Sequence, residues 1–480
     1  MGLTLDPDDW NDFAELSHRM MDGILTHQRT VGARPAWTLS PAEIQAQISS
    51  EALPMKPQGE AEVYDQFVNA VLPFGNGNAG PRFYGWVQGN GCPLGTMADM
   101  LASGMNPHLA GFNQNPVLVE RKVVEWMREL LGFPTGSSGL LLSGGSMANF
   151  TGLAIARNAK AGFDVRGEGL AGHPRLMLYG SSETHSWAQK AIGTLGLGTN
   201  SYRQVPVRDD FRLDLVALER LIREDLDQGL RPIAAIGTAG TVNTGATDDL
   251  VGLADICRRY GLWLHVDGAF GALAALSSRL RPMVSGLELA DSVAFDLHKW
   301  MYLPFEIACL LVRDGEAHRR SFAQSASYID ATDRGVMAGG LQFSELGLEL
   351  TRGFKALKAW MCLKAYGVER FAALIEQNVD QAQYLASLVS KSSCLELVAP
   401  VPMNIVCFRY VSDGLPALAL NSLNEEILFR VQERGLAVPS STVIGGKFCL
   451  RACFVNHRTT MSDVDALVGD VEAIGREIGL

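Results

Sequence analysis

A lysine directly follows a fully apolar run. Ser292–Phe295 leads into Asp296-Leu297-His298-Lys299-Trp300. Between that run and Trp300-Met301-Tyr302-Leu303, the Lys299 amine is expected to be partly desolvated. Desolvation disfavours the ammonium form, lowers the pKa and leaves a nucleophile suited to a Schiff base. The plain alternative is a lysine that snorkels to water. Asp267, in His265-Val266-Asp267-Gly268-Ala269, follows a second apolar run, Trp263–Val266. A carboxylate there is costly unless paired. It either caps the next helix or faces a cationic ligand atom. After Leu140–Leu142 comes Ser143-Gly144-Gly145-Ser146, then a helical pattern. Glycines let the backbone approach a ligand, and the free N–H groups of a helix start favour an anion such as phosphate. An ordinary turn is compatible with the same residues. His185, in Glu183-Thr184-His185-Ser186-Trp187, follows Arg175–Tyr179. It reads as a cap, a surface residue or a ring able to stack on a ligand. Thr241, in the small and hydroxyl-rich stretch Gly237 to Gly245, lines a pocket or makes a turn.

One cofactor accounts for the whole combination. Pyridoxal 5′-phosphate (PLP) needs a lysine for its aldehyde, a carboxylate for its pyridinium nitrogen and a helix N-terminus for its phosphate.

These residues need strands to hold them. The runs Leu140–Leu142, Arg175–Tyr179, Ile233–Ile236, Trp263–Val266, Ser292–Phe295 and Ile307–Val312 are short and apolar throughout, as strands buried on both faces are. The spacing between them leaves room for crossover helices, which predicts an α/β fold with a mostly parallel central sheet. In such sheets ligands bind beyond the carboxyl ends of the strands. Ahead of this region, Phe13, Leu16, Met20 and Ile24 recur at helical spacing, with Asp6 expected as cap and Pro7 at the first turn. Behind it, Asn404–Tyr410 and Lys447–Val455 read as strands. Glu425–Arg434 reads as a helix ended by Gly435, and Ser462 with Asp465 as the start of a last helix. The expected organisation is a helical arm over 1–80, a large domain over 81–375 and a small α+β domain over 376–480.

Composition narrows the classes. The 480 residues are 47% hydrophobic and only 19% charged, which suits large buried cores and excludes disorder as the main state. With 41 basic against 52 acidic residues and no basic block, neither nucleic acid nor an anionic membrane is an expected partner. No apolar stretch approaches a membrane span, and the start MGLTLDPDDW has no apolar signal core. The eight cysteines form no Cys-x-x-Cys pair; the nearest two, Cys449 and Cys453, fall on one face of a strand. A reduced, cytoplasmic protein without a structural metal is expected.

The sequence resembles the group II PLP-dependent amino-acid decarboxylases, among them the aromatic L-amino-acid, glutamate and cysteine-sulfinate decarboxylases. The likeness runs from Pro81-Arg82-Phe83-Tyr84 to Leu450-Arg451-Ala452-Cys453-Phe454 and is most specific at His265-Val266-Asp267-Gly268-Ala269 and Leu297-His298-Lys299-Trp300. It implies the aspartate-aminotransferase fold (PLP fold type I) and a homodimer with active sites at the subunit interface. By this resemblance Lys299 carries the cofactor, Asp267 faces the pyridinium nitrogen and His185 stacks on the ring near the substrate carboxylate. Ala269 packs on the other face. Gly145, Ser146, Ser186 and His298 serve the phosphate side, and Thr241 and Asp296 complete the pocket. Tyr328, in Ser325-Ala326-Ser327-Tyr328-Ile329, matches a loop tyrosine whose replacement by phenylalanine in the family turns decarboxylation into oxidative aldehyde formation.

The implied activity is decarboxylation of an L-amino acid to its amine. The sequence departs from the aromatic members where they place bulky rings: Val87, Gln88 and Gly89 follow Trp86, and Asn106-Pro107-His108-Leu109-Ala110 occupies the cross-interface segment. Trp86, Gln88, His108 and Arg352 are the expected substrate pocket, with a bias toward a polar side chain. The alternatives are an aldehyde synthase or a carbon–sulfur β-lyase on the same scaffold, or a non-catalytic relative; intact Lys299, Asp267 and His185 speak against the last.

Overall fold

The apolar runs assemble into a seven-stranded sheet. In this computed structural model, which describes residues 3–324, 332–338 and 342–479, its strands are β2 (Ser138–Leu142), β3 (Leu176–Ser181), β4 (Tyr202–Val205), β5 (Arg231–Thr238), β6 (Trp263–Asp267), β7 (Ser292–Asp296) and β8 (Ala308–Val312). They lie in the order β2-β8-β7-β6-β5-β3-β4. Only β8 runs against the rest, inserted antiparallel between β2 and β7. All other pairs are parallel.

Both faces are covered, which is why these strands read as continuous apolar runs. Leu140, Leu142, Ile236, Ala294 and Leu310 point to a layer that contains the helix Gly145–Lys160. Leu141, Ala235, Val266, Val293 and Leu311 point to the opposite layer, with Leu218, Leu250 and Leu253 of the crossover helices. Every β5-to-β7 carboxyl end therefore emerges on one rim.

A second sheet orders as β1-β11-β12-β10-β9, with β1 (Phe83–Tyr84), β9 (Leu395–Leu397), β10 (Ile405–Tyr410), β11 (Val438–Ile444) and β12 (Lys447–Cys453). β1 joins it in parallel with β11, and the remaining pairs are antiparallel. The segment after β1, Gly85 to Cys92, then leads back to the large sheet. The helices Ala417–Glu433 and Met461–Ile478 cover the second sheet.

Three local expectations are corrected. The first helix is Trp10–Thr30 and its cap is Asp9, which accepts from Asn11 N–H, not Asp6. The last helix starts at a Thr460–Asp463 capping box, not at Ser462 with Asp465. In both cases the first residue whose side chain reaches an unpaired helical N–H wins, and sequence spacing admitted two frames. The edge strand β4 and the strand β11 were not foreseen, because Tyr-Arg-Gln-Val and Ser440-Ser441-Thr442 carry no apolar run. The first helix has no buried residue of its own.

Candidate active site

The rim of the large sheet gathers the predicted residues. β6 and β7 pair Asp267 with Ala294, and Asp296 N–H donates to Ala269 O at 2.8 Å, so the two strand ends are locked side by side. Beyond β7 the chain makes the single turn Leu297–Trp300. This aims the Lys299 Nζ at Asp296 Oδ2, 2.8 Å away. A buried carboxylate thus holds the amine that the sequence reading expected to be partly desolvated. The other Asp296 oxygen, Oδ1, is buried without a partner among the described residues. Burial pushes the His298 imidazole below its ordinary range, opposed by the Asp296 carboxylate 3.8 Å from its Nε2.

Asp267 is 4% exposed. Its cost of burial is met by two fixed donors: Trp187 Nε1–H to Oδ2 at 2.6 Å and Ala269 N–H to Oδ1 at 3.1 Å. Trp187 N–H also donates to His185 Nδ1 at 3.2 Å, leaving the His185 ring exposed above the rim. Asp267 does not cap a helix.

The helix Gly145–Lys160 enters from the β2 side. Its first N–H groups have no side-chain cap, and Ser146 is exposed at its first turn. A Cβ on Gly145 would lie 2.8 Å from Asp296 Oδ2, so only glycine brings this helix start so close to the lysine turn. Gly89 does the same from the other side: a Cβ there would meet His298 O at 1.5 Å. Deeper in, Asn149 Oδ1 lies 2.7 Å from His265 Nε2, whose Nδ1 lies 2.7 Å from Ser292 Oγ. That chain pins the helix to β6 and β7. Burial pushes the His265 imidazole down to about 3.

These residues fit PLP. A lysine, a carboxylate with lone pairs left over, an uncapped helix start and a flat exposed imidazole face one another around the same rim. Lys299 would hold the aldehyde, Asp267 the ring nitrogen, and Gly145, Ser146, Ser186 and His298 the phosphate side. Among the described residues no cluster suited to a metal occurs.

A family model supplies what geometry alone does not. Residues 41–411 match the pyridoxal-dependent decarboxylase conserved domain. The chain belongs to that family. PLP is accordingly its cofactor, and its chemistry is amino-acid decarboxylation, a carboxy-lyase reaction. This decarboxylase is 31% identical to an aromatic-L-amino-acid decarboxylase of Bacillus atrophaeus over 98% of its own length and 96% of the relative's. It is 28% identical to an L-2,4-diaminobutyrate decarboxylase of Acinetobacter baumannii over 81% and 79%. Its structure superposes on Oryza sativa TDC, solved with PLP and tryptamine, at a TM-score of 0.91 and 25% identity, covering 99% and 100% of the two chains.

Not every expected residue joins the decarboxylase rim. Arg352 is corrected: it is 5% exposed, its Nη2 is 2.5 Å from Glu120 Oε1 and it also donates to Leu141 O and Leu109 O. It is a buried ion pair beneath β2, not a pocket wall. Thr241 is fully buried, and its hydroxyl accepts from Ala246 N–H within its own turn. His108 packs against Phe112 and accepts from Ala110 N–H. Gln88 Oε1 accepts from Asn76 at 2.8 Å. Tyr328 lies outside the described residues.

Two residues were missed. Arg451 in β12 donates to Trp86 O at 2.9 Å and to Asn243 O at 3.2 Å, while its Nη2 is buried without a partner among the described residues. With Ser440 Oγ, which accepts from Trp86 N–H, it holds Trp86 at a φ of 52°, in the left-handed region a tryptophan rarely adopts. The available signal was an arginine inside the otherwise apolar strand Phe448–Cys453. Trp187 is the other, two residues after His185.

Proposed function

We propose that this chain releases carbon dioxide from an aromatic L-amino acid, giving the amine, and that Lys299 is the residue that would hold the PLP aldehyde. The reading is carried by one observation, the lysine and the doubly hydrogen-bonded Asp267 on the ends of adjacent strands. The aromatic class is supported by the Bacillus relative, while Gln88 Oε1 and His108 Nδ1 already accept hydrogen bonds from Asn76 and Ala110 N–H. Bound at the rim, PLP supplies a sink for the electron pair left on Cα as carbon dioxide departs. Asp267 keeps a proton on the ring nitrogen by pairing an anion with it. His185 covers one ring face and Ala269 the other. The unpartnered Arg451 Nη2 offers a charged donor to the substrate carboxylate. Tyr328 returns a proton to Cα. We propose further that the active protein is a cytoplasmic homodimer whose sites lie at the subunit interface; the first helix, with no buried face, suits such a contact.

The test is a panel of L-amino acids, aromatic, acidic and diamino, scored by carbon dioxide and amine released. Turnover of an aromatic member by wild type and none by Lys299→Ala is expected. Carbon dioxide from Lys299→Ala at the wild-type rate refutes the lysine assignment; turnover of only acidic or diamino substrates refutes the aromatic class.

A further inference from the structure

Asp267 faces the cofactor in the reading above, and the inference here rests on that reading. We propose that Trp187 is a positioning residue that ties Asp267 to His185, so that the carboxylate at the ring nitrogen and the imidazole over one ring face keep a fixed relation. The indole Nε1–H donates to Asp267 Oδ2 at 2.6 Å, and the backbone N–H of the same residue donates to His185 Nδ1 at 3.2 Å. One residue therefore fixes both partners of the ring.

The chemistry of each bond is one-directional. An indole N–H only donates and does not titrate in the working range, so Oδ2 is obliged to accept. Ala269 N–H obliges Oδ1 in the same way. A carboxylate has about four lone-pair sites. With one on each oxygen taken by a rigid donor, those that remain point in set directions. At His185, an N–H on Nδ1 assigns the imidazole proton of the neutral ring to Nε2.

The Thr238 hydroxyl, on the register partner of Asp267 in β5, makes no hydrogen bond to it among the described residues. Asp267 is 4% exposed, which leaves it without bulk water. Behind Trp187 the His265 ring stands edge-on, 5.9 Å away at 81°, and both of its nitrogens are already engaged by Ser292 and Asn149. Neither imidazole nitrogen is available to Asp267. The N–H of Trp187 is therefore the sole side-chain donor on Asp267 among the described residues.

Trp187→Phe tests this, because it keeps the backbone N–H and an aromatic ring beside His265 and removes the indole donor, together with part of the ring volume in a buried position. A hydrogen bond to a charged group is typically worth a factor of about 10 to 100. The holoenzyme variant is expected to lose kcat by about that factor with KM little changed, and its Kd for PLP to rise. In an Asp267→Asn background the same substitution should cost less than about threefold, since effects that pass through one residue are not additive. A loss of equal size in both backgrounds, or a single variant within about twofold of wild type in kcat and PLP Kd, overturns the proposal. If Trp187→Phe does not fold, wild-type protein labelled with ¹⁵N-tryptophan decides. One indole N–H should be far downfield and protected from exchange, and should move upfield in Asp267→Asn, where a neutral amide oxygen replaces the carboxylate as acceptor. An indole set that Asp267→Asn does not alter overturns the proposal. Wild type that binds no PLP refutes the reading beneath it instead, and the same resonance still reports whether the bond exists.

Discussion

Arg352→Met discriminates between a buried strut and a pocket wall. The arginine loses a 2.5 Å contact with Glu120 Oε1 and two donors to the carbonyls of Leu141 and Leu109. Glu120 is then left with Leu141 N–H at 3.4 Å, fully buried. Burial already pushes the Glu120 carboxyl upward, and Arg352 opposes that push. Removing one partner of a buried ion pair costs about 3–5 kcal/mol. For 480 residues unfolding together, the entropy at the midpoint is about 1 kcal/mol/K, so Tm should fall by about 3–5 °C. Adding Glu120→Leu should restore most of the loss. The two carbonyls that lose their donors keep the double variant about 1–2 kcal/mol below wild type. The assay is a thermal melt of wild type and the two variants beside PLP titration and steady-state kinetics. An unchanged Tm with KM raised tenfold in Arg352→Met would return the arginine to the pocket and refute the strut.

Three further outcomes are expected. Arg451→Gln should raise KM by about 10- to 100-fold while PLP Kd moves little, because the unpartnered Nη2 is a charged donor; an unchanged KM removes it from substrate binding. Tyr328→Phe should slow amine formation by about 10²–10⁴-fold and divert product to aldehyde, ammonia and peroxide in the presence of oxygen; amine at the wild-type rate would mean another proton donor. His265 is held near 3 when folded against 6.5 when unfolded, so the unfolded chain binds the extra proton. Its contribution is complete above pH 6.5 and is lost as pH falls toward 3, by up to about 1.4 kcal/mol per pH unit, and His265→Gln should flatten that part of an acid-unfolding profile.

The sheet was legible because its central strands are buried on both faces and so carry no polar interruptions. β4 was not, since an edge strand of Tyr-Arg-Gln-Val satisfies its backbone with one neighbour and keeps its side chains partly wet. Lys299 and Asp267 stood out because a charge at the end of an apolar run demands a partner. Arg352 demanded one too, but its partner is Glu120, 232 residues away, and no local spacing records that. Trp187 is a different case: an indole looks like core in any sequence, and its N–H acquires meaning only when β6 places Asp267 2.6 Å from it. Arg451 likewise lies in one sheet and acts on the Trp86 carbonyl at the junction with the other.

The reversed strand β8 also sets an order of events in folding. β2, which carries the phosphate-side turn, pairs only with β8, and β8 is about 170 residues further along the chain. Until β8 slots in, β2 is an orphan strand and the glycine turn has no lysine to face. Closing so large a loop is slow, since the entropy of closure must be met before the contact rewards it. The glycine turn and the lysine therefore come together only in the finished sheet, and a nascent chain cut short before Ala308 would leave the apolar edges of β2 and β7 without β8.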